Sequence, residues 1–261
     1  MHLSIITAYY NRPLLFKELC GYMQSLVMPA ELNVHWIIVD DCSTEPLSLD
    51  GMNFQSMKVT LLRNEINLGK QNCLNKAFDL IQCGYVTVID SDDYPLNNML
   101  VTFERSINLL NDLGVNASSV SFLNVDESNG EVIGDLFDCA ITIDEGVNGG
   151  YRINKFDRHG FFTIDSLGDE RFPVDNNRKD FISESYLWFN TWSRINVGLN
   201  IITKIVRYQS TGYSQMKVHL RKEYRLNQRK YFLKKIKFIS IPSVRLKSII
   251  RFVQTFLNIT H

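Results

Sequence analysis

Apolar residues recur along the first hundred positions in two alternating rhythms. Residues 3–7, 34–39, 59–62 and 85–89 form short, continuous apolar runs rich in β-branched side chains. Such runs read as strands buried on both faces, the kind a parallel sheet requires. Between them the period changes. After Pro13 come Leu15, Leu19, Tyr22, Met23 and Leu26. Residues 70–82 place Leu74, Ala77, Phe78 and Ile81 on one face. Residues 97–113 do the same with Leu100, Phe103, Ile107 and Leu110. That is helical spacing, with Pro13 suited to a helix start. The alternation predicts an α/β fold, a mostly parallel central sheet flanked by helices. Further on, residues 120–125 and 200–208 read as strands. Residues 183–194 read as a helix with Leu187, Trp188 and Phe189 partly buried. Residues 126–182 mix Gly, Asn and Asp with short apolar pieces and read as hairpins and loops over an active site.

Polar residues gather where the predicted strands end, at 9–12, 40–43 and 90–93. Open parallel sheets bind ligands beyond the carboxyl ends of their strands. Asp90, Asp92 and Asp93 follow the fourth strand directly. Carboxylates this close raise one another's pKa unless a cation shares the site, and hard oxygen ligands suit Mg²⁺ or Mn²⁺. A solvated acidic turn capping a helix near Pro95 would account for these residues taken alone. The convergence of three polar clusters favours a site.

Charge redraws the far end of the chain. The 261 residues carry 28 basic and 28 acidic side chains. Residues 217–261 hold twelve Lys and Arg against one acid, Glu223, so the body carries the matching acidic excess. Residues 221–238 alternate basic clusters with Tyr224, Leu226, Tyr231, Phe232, Leu233, Ile236 and Phe238. After Pro242, Leu246, Ile249, Ile250, Val253, Phe256 and Leu257 fall on one helical face, with Arg245, Lys247 and Arg251 toward the other. This pattern suits an anionic membrane surface, and equally a helix packed on its own domain or on a second copy in a homo-oligomer. No nucleic-acid-binding motif accompanies the charge, so no nucleic-acid partner is expected. Five cysteines, odd in number and without a C-x-x-C pair, read as reduced thiols. With no leader-like start and no membrane-length apolar run, the expectation is a cytoplasmic protein, peripheral at the inner face of the membrane through its tail.

Four segments together resemble the family 2 glycosyltransferases, inverting enzymes of the GT-A fold that use nucleotide sugars. They are residues 3–12 (LSIITAYYNR), 37–44 (IIVDDCST), 67–72 (NLGKQN) and 89–93 (IDSDD). The resemblance runs from residue 3 to about residue 110 with the right order and spacing and thins beyond 115. It implies that Thr7, Ala8 and Tyr10, with Arg12 in the same loop, line the nucleotide, and that Asp41 accepts a uracil imide N–H. Lys70 and Asn72 would approach the nucleotide from the next helix. Asp90, Ser91 and Asp92 match the family's Asp-x-Asp motif. Asp92 would be the direct metal ligand, Asp90 would hold the ribose or a metal-bound water, and Asp93 would be auxiliary. Each has a plainer role open to it: an Asx turn for Asp41, helix capping and surface charge for Lys70 and Asn72.

Two features depart from the family. Its general base belongs to a Glu-Asp pair at a helix start; here the matching segment holds Glu184 and Ser185. Glu184 is the candidate base, and a helix-dipole role is the alternative. The family's Arg-x-His appears as Arg207, Tyr208 and Gln209, leaving Arg207 to reach a phosphate or to sit at a strand end. His159 would lie in a loop facing the acceptor. Trp188 and Trp192 would stack on a sugar or fill the core. The resemblance thus implies a metal-assisted (Mn²⁺ or Mg²⁺), inverting transfer from a UDP-linked sugar to a growing glycan, and the basic amphipathic tail suits a lipid-linked acceptor, as in O-antigen or other bacterial polysaccharide assembly. The expected organisation is a catalytic domain over 1–215, with nucleotide-binding (1–113) and acceptor-side (114–215) halves, then a basic helical tail over 216–261. The rivals are a non-catalytic glycan-binding scaffold of the same fold and a sugar nucleotidyltransferase. The latter should show a Gly-rich basic loop after the first strand, which residues 9–13 do not supply.

Overall fold

The computed structural model describes residues 1–54, 56–209 and 222–257. The first half follows the expected alternation: β1 (His2–Tyr9), α1 (Pro13–Gln24), β2 (Asn33–Asp40), β3 (Lys58–Arg63), α2 (Lys70–Phe78) and β4 (Tyr85–Val88). β1 lies between β2 and β4, β3 is outside β2, and all these pairings are parallel. Continuous apolar runs are what such doubly covered strands need. One face packs under α1 and α3 (Met99–Asp112) around Trp36, Phe16 and Phe103. The other packs under α2 around Leu74, Phe78 and Phe162.

The second half departs from the expected loops. β5 (Tyr94–Pro95) and β6 (Ser119–Asp126) are followed by β7 (Ile141–Glu145), α4 (Gly146–Ile153), β8 (His159–Thr163), α5 (Ile164–Leu167), α6 (Ser185–Thr191) and β9 (Ile195–Val206). The sheet order is β3-β2-β1-β4-β8-β6-β9-β5, with β7 also on β9. β8 runs antiparallel between β4 and β6, so the sheet is mixed on this side. Residues 126–182 therefore contribute a strand to the sheet's centre as well as loops. α4 escaped the pattern because Gly149 and Gly150 read as loop. Their smallness serves packing: a Cβ on Gly150 would stand 2.3 Å from Trp192 Cβ.

The basic tail does not stand apart from this body. After a 3₁₀ turn at Lys222–Tyr224, α7 (Arg225–Phe238) lies against α6. The Tyr231 ring stacks on Phe189 at 6.1 Å, Asn227 Nδ2 donates to the Phe181 carbonyl at 3.3 Å, and Lys234 pairs with Glu170. α8 (Pro242–Leu257) packs on α7 with Ser248 and Thr255 buried. Its other face is open: Leu246, Ile249, Ile250, Val253 and Phe256 are 42–59% exposed. The Leu257 side chain and residues 216–221 and 258–261 lie outside the described part. Among the described residues no helix is long and apolar enough to cross a membrane.

Candidate active site

A cavity of 930 Å³ opens at the carboxyl ends of β1, β2 and β4, where the sequence places its polar clusters. Hydrogen bonds staple the first two loops together: Asn11 N donates to Ser43 Oγ at 3.0 Å and Thr44 N to Asn11 Oδ1 at 2.9 Å. Asn11 and Cys42 both take left-handed backbone, with φ of 48° and 61°. That conformation costs a side-chain-bearing residue energy, and the cross-links hold it.

The acidic cluster is met by one cation per carboxylate. Arg12 pairs with Asp92. Lys70 Nζ lies 2.5 Å from Asp90 Oδ1 and 2.7 Å from Glu184 Oε1. Lys204 Nζ lies 2.5 Å from Asp93 Oδ2, both side chains buried. Burial would raise the Asp90 carboxyl, but Lys70, Lys204 and Arg12 outweigh it and hold it below the usual carboxylate range. Burial would likewise lower the Lys70 ammonium, yet Asp90 and Glu184 hold it above its ordinary value. Asp92 shifts upward through burial and the neighbouring Asp90, against Arg12. Asp93 is pushed up to about 7 by burial, with Lys204 opposing and Asp90 adding.

Ala8, Tyr10, Arg12, Asp41, Lys70, Asp90, Ser91, Asp92, Asp93 and Glu184 all line the cavity. Glu184 sits at the start of α6 and meets Lys70, which also pairs with Asp90, so groups far apart along the chain are joined only by the fold. Asp41 holds the wall: its carboxylate accepts from Leu68 N at 2.9 Å, Gly69 N at 2.7 Å and Asn64 Nδ2 at 2.9 Å. Gly69 itself is required, since at φ 89° a Cβ would stand 2.7 Å from the Asp180 carbonyl.

Several expected contacts fall elsewhere. Thr7 turns into the core, where its hydroxyl donates to the Ile89 carbonyl and accepts from Trp36 Nε1. A β-strand alternates its faces, so Ala8 and Tyr10 point where Thr7 cannot. Asn72 is buried and donates to the Leu68 and Asp175 carbonyls, tying two loops together. Asp93 is paired with Lys204, while Asp92 is paired with Arg12. His159 is 1% exposed within β8, its Nδ1 2.8 Å from Thr203 Oγ1, and burial with Lys204 nearby pushes its imidazole pKa well down. It faces the sheet interior, not an acceptor. The Arg207 guanidinium is held by both oxygens of Glu127 at 2.6 Å and lies over the Tyr94 ring. Residues 210–212 of the Arg-x-His-like stretch lie outside the described residues. Trp188 lines the cavity while packing on Phe162, and Trp192 packs on Phe189.

Sequence reasoning missed Lys204, Lys179 and the α7 wall. Lys204 is the lone charge inside an apolar strand, a signal of a buried partner. Lys179 Nζ lies 5.8 Å from the Tyr10 ring centroid. Tyr224, Gln228, Tyr231 and Phe232 close the cavity from the tail.

A cleft of this build, at the parallel end of a mixed sheet and lined by an Asp-Ser-Asp-Asp run, is that of a GT-A glycosyltransferase. Residues 4–137 match the model of the glycosyl transferase family 2, and the chain belongs to that family. It is 25% identical over 130 residues to the glycosyltransferase GlyG of Streptococcus pneumoniae, covering 49% of this chain and 41% of that protein. It is 34% identical over 91 residues to an uncharacterized glycosyltransferase of Haemophilus influenzae, covering 35% and 29%. The matches thus span less than half the length of these relatives. In fold it is similar to S. aureus TarS 1–349 in complex with UDP-GlcNAc, at a TM-score of 0.73 and 16% identity, covering 100% of this chain and 74% of that one. The mannosyltransferase PcManGT of Pyrobaculum calidifontis, in complex with GDP-Man and Mn²⁺, aligns at 0.53 and 16% identity over 98% and 70%.

Proposed function

We propose that the chain transfers a sugar, with inversion, from a UDP-linked donor to a growing, lipid-linked glycan of a bacterial surface polysaccharide. The observation that carries this reading is Lys70, which joins Asp90 of the Asp-x-Asp run to Glu184 at the mouth of one cavity. Leaving-group charge and acceptor deprotonation are then handled within one hydrogen-bonded unit. That a fold neighbour is bound to UDP-GlcNAc supports the choice of donor class.

Negative charge grows on the diphosphate as its bond to the anomeric carbon breaks. Arg12 and Lys70 stand where they can exchange their carboxylate partners for phosphate oxygens. Ala8 and Tyr10 line the nucleotide, and Asp41 shapes the pocket and offers its one remaining lone pair to a base edge. Glu184 takes the proton of the acceptor hydroxyl, whose oxygen forms the new bond opposite the leaving group. A single displacement of this kind inverts the anomeric centre.

The residues also fit a divalent cation carried in with the diphosphate. Asp90 and Asp92 line the cavity, and moving Lys70 and Arg12 onto phosphate oxygens would free their carboxylates for the ion. Mg²⁺ and Mn²⁺ are often held by one or two carboxylates plus substrate phosphates, which suits a site where no group of three or more ligating side chains occurs among the described residues. Such an ion would act as a Lewis acid on the leaving diphosphate. In this reading the catalytic unit extends through α7, and the exposed apolar face of α8 with its flanking Arg and Lys seats the protein on an anionic membrane. A thermal-shift panel of nucleotide sugars with and without Mn²⁺, followed by donor hydrolysis, tests the proposal. Stabilisation by UDP-sugars, enhanced by Mn²⁺, is expected; stabilisation by no nucleotide sugar would sink it.

A further inference from the structure

A second groove, of 500 Å³, lies between α4 and the α7–α8 pair. Five cations line it: Arg152, Lys155, Lys235, Lys247 and Arg251. No carboxylate belongs to that lining. Two of the five have acidic partners outside it, Arg152 in a bidentate pair with Asp144 and Lys155 at 3.9 Å from Asp135. The other three have no carboxylate partner among the described residues. Lys235 Nζ lies 5.1 Å from the Tyr151 ring centroid and 3.5 Å from the Tyr231 hydroxyl, and Arg251 Nη1 donates to Gln254 Oε1 at 3.4 Å. Like charges gathered in a concave site repel one another, and a bound anion relieves that repulsion.

Position gives the groove a meaning. Phe232 lines it on one side and the catalytic cavity on the other. A molecule reaching from the cavity past Phe232 enters a field of positive charge. The donor's own diphosphate has its cations elsewhere, at Arg12 and Lys70. Lys247 and Arg251 also border the exposed Leu246–Ile250 stretch of α8, so the groove opens beside the apolar ridge.

We propose that this groove binds a phosphate group of the acceptor, holding it while the acceptor's hydroxyl end lies in the catalytic cavity. The inference rests on the transferase reading for its acceptor, but the anion site stands on the groove alone. Multidentate Lys and Arg contacts are the usual means of holding phosphate. The phosphate can be borne by a lipid diphosphate or by a soluble phosphodiester polymer, and the two sources separate experimentally.

The test uses the full chain with UDP present to fill the donor cleft. Calorimetry with inorganic tripolyphosphate reads the soluble source. Co-sedimentation with phosphatidylcholine vesicles, with and without a polyprenyl diphosphate, reads the lipid source. The wild type is expected to bind at least one probe, and the K247Q/R251Q variant to bind it roughly tenfold more weakly or worse. The charge-keeping K247R/R251K variant should retain binding. Both positions are exposed, and an unchanged UDP-sugar thermal shift reports an intact fold and donor site. Wild type that binds neither probe, or K247Q/R251Q binding as well as wild type, overturns the proposal. Loss of the donor response in the wild type would instead defeat the transferase reading and leave the anion site standing.

Discussion

Replacing Lys204 by Met tests how the floor of the cleft is held together. Lys204 and Asp93 meet at 2.5 Å with only 8% and 7% of their side chains exposed. Met keeps the length and the apolar stem but removes the ammonium, leaving a buried carboxylate without its ion partner. Breaking such a pair costs roughly 3–5 kcal/mol once the carboxylate is fully ionised. The protonation of Asp93 decides when that cost is felt. With Lys204 present, burial already pushes Asp93 up to about 7. Without it, the main influence lowering that carboxyl is gone and its pKa climbs further. An unfolded Asp titrates near about 3.9. A group whose folded pKa is raised favours the folded state below the unfolded value and loses that advantage as pH rises through the folded one. The wild type completes this loss near pH 7, whereas the variant continues to lose about 1.4 kcal/mol per pH unit above it. The gap between the proteins therefore widens by about 1.4 kcal/mol for each pH unit until the variant's own Asp93 has titrated. The contribution of Lys204 itself is constant below its unfolded pKa of about 10.4, so it shifts the curves without tilting them. Urea unfolding of both proteins from pH 6 to pH 9 measures the gap. Profiles that run parallel across this range would refute the reasoning.

Three more outcomes follow from the site and its support. Glu184→Gln should lower glycosyl transfer by roughly 10²–10⁴-fold while leaving the donor thermal shift in place; turnover like that of the wild type would reject Glu184 as the base. Asp92→Ala should abolish the Mn²⁺-dependent part of the donor shift, and a shift equal to wild type would remove Asp92 from the metal site. Gly150→Ala places a methyl 2.3 Å from Trp192 Cβ and should destabilise by about 1–3 kcal/mol in urea unfolding. A neutral result there would mean that α4 can move off α6 without cost.

Much of the first half was legible because its signals are local. Strands β1 to β4 are continuous apolar runs, the helices between them keep one apolar face, and the polar clusters begin where the runs stop. Asp90, Ser91, Asp92, Asp41 and Lys70 follow from that arrangement and from the family resemblance, and all line the cavity. Thr7 and Asn72 show the limit of such transfer. A motif position names a residue, but the strand's alternation turned Thr7 inward, and two carbonyls took up the Asn72 amide. β8 and α4 were hidden for a different reason. β8 is only five residues long, and the glycines that let α4 pack against Trp192 are also the residues that mark loops.

The chain by itself determined the alternation of strands and helices, the ends at which chemistry could gather, the four segments that together resemble the family, and the asymmetry that piles positive charge into the tail. Each of these is a property of neighbours in sequence, set by side-chain period, propensity and charge. Only the tertiary structure decided the pairing of charges: Lys70 between Asp90 and Glu184, Lys204 under Asp93, Arg207 drawn off to Glu127. It also decided that α7 walls the catalytic cavity, and that its neighbours in α4 and α8 enclose a basic groove. Electrostatic attraction falls with distance in space, not along the chain, so partners separated by a hundred residues become visible only when the sheet has brought them together.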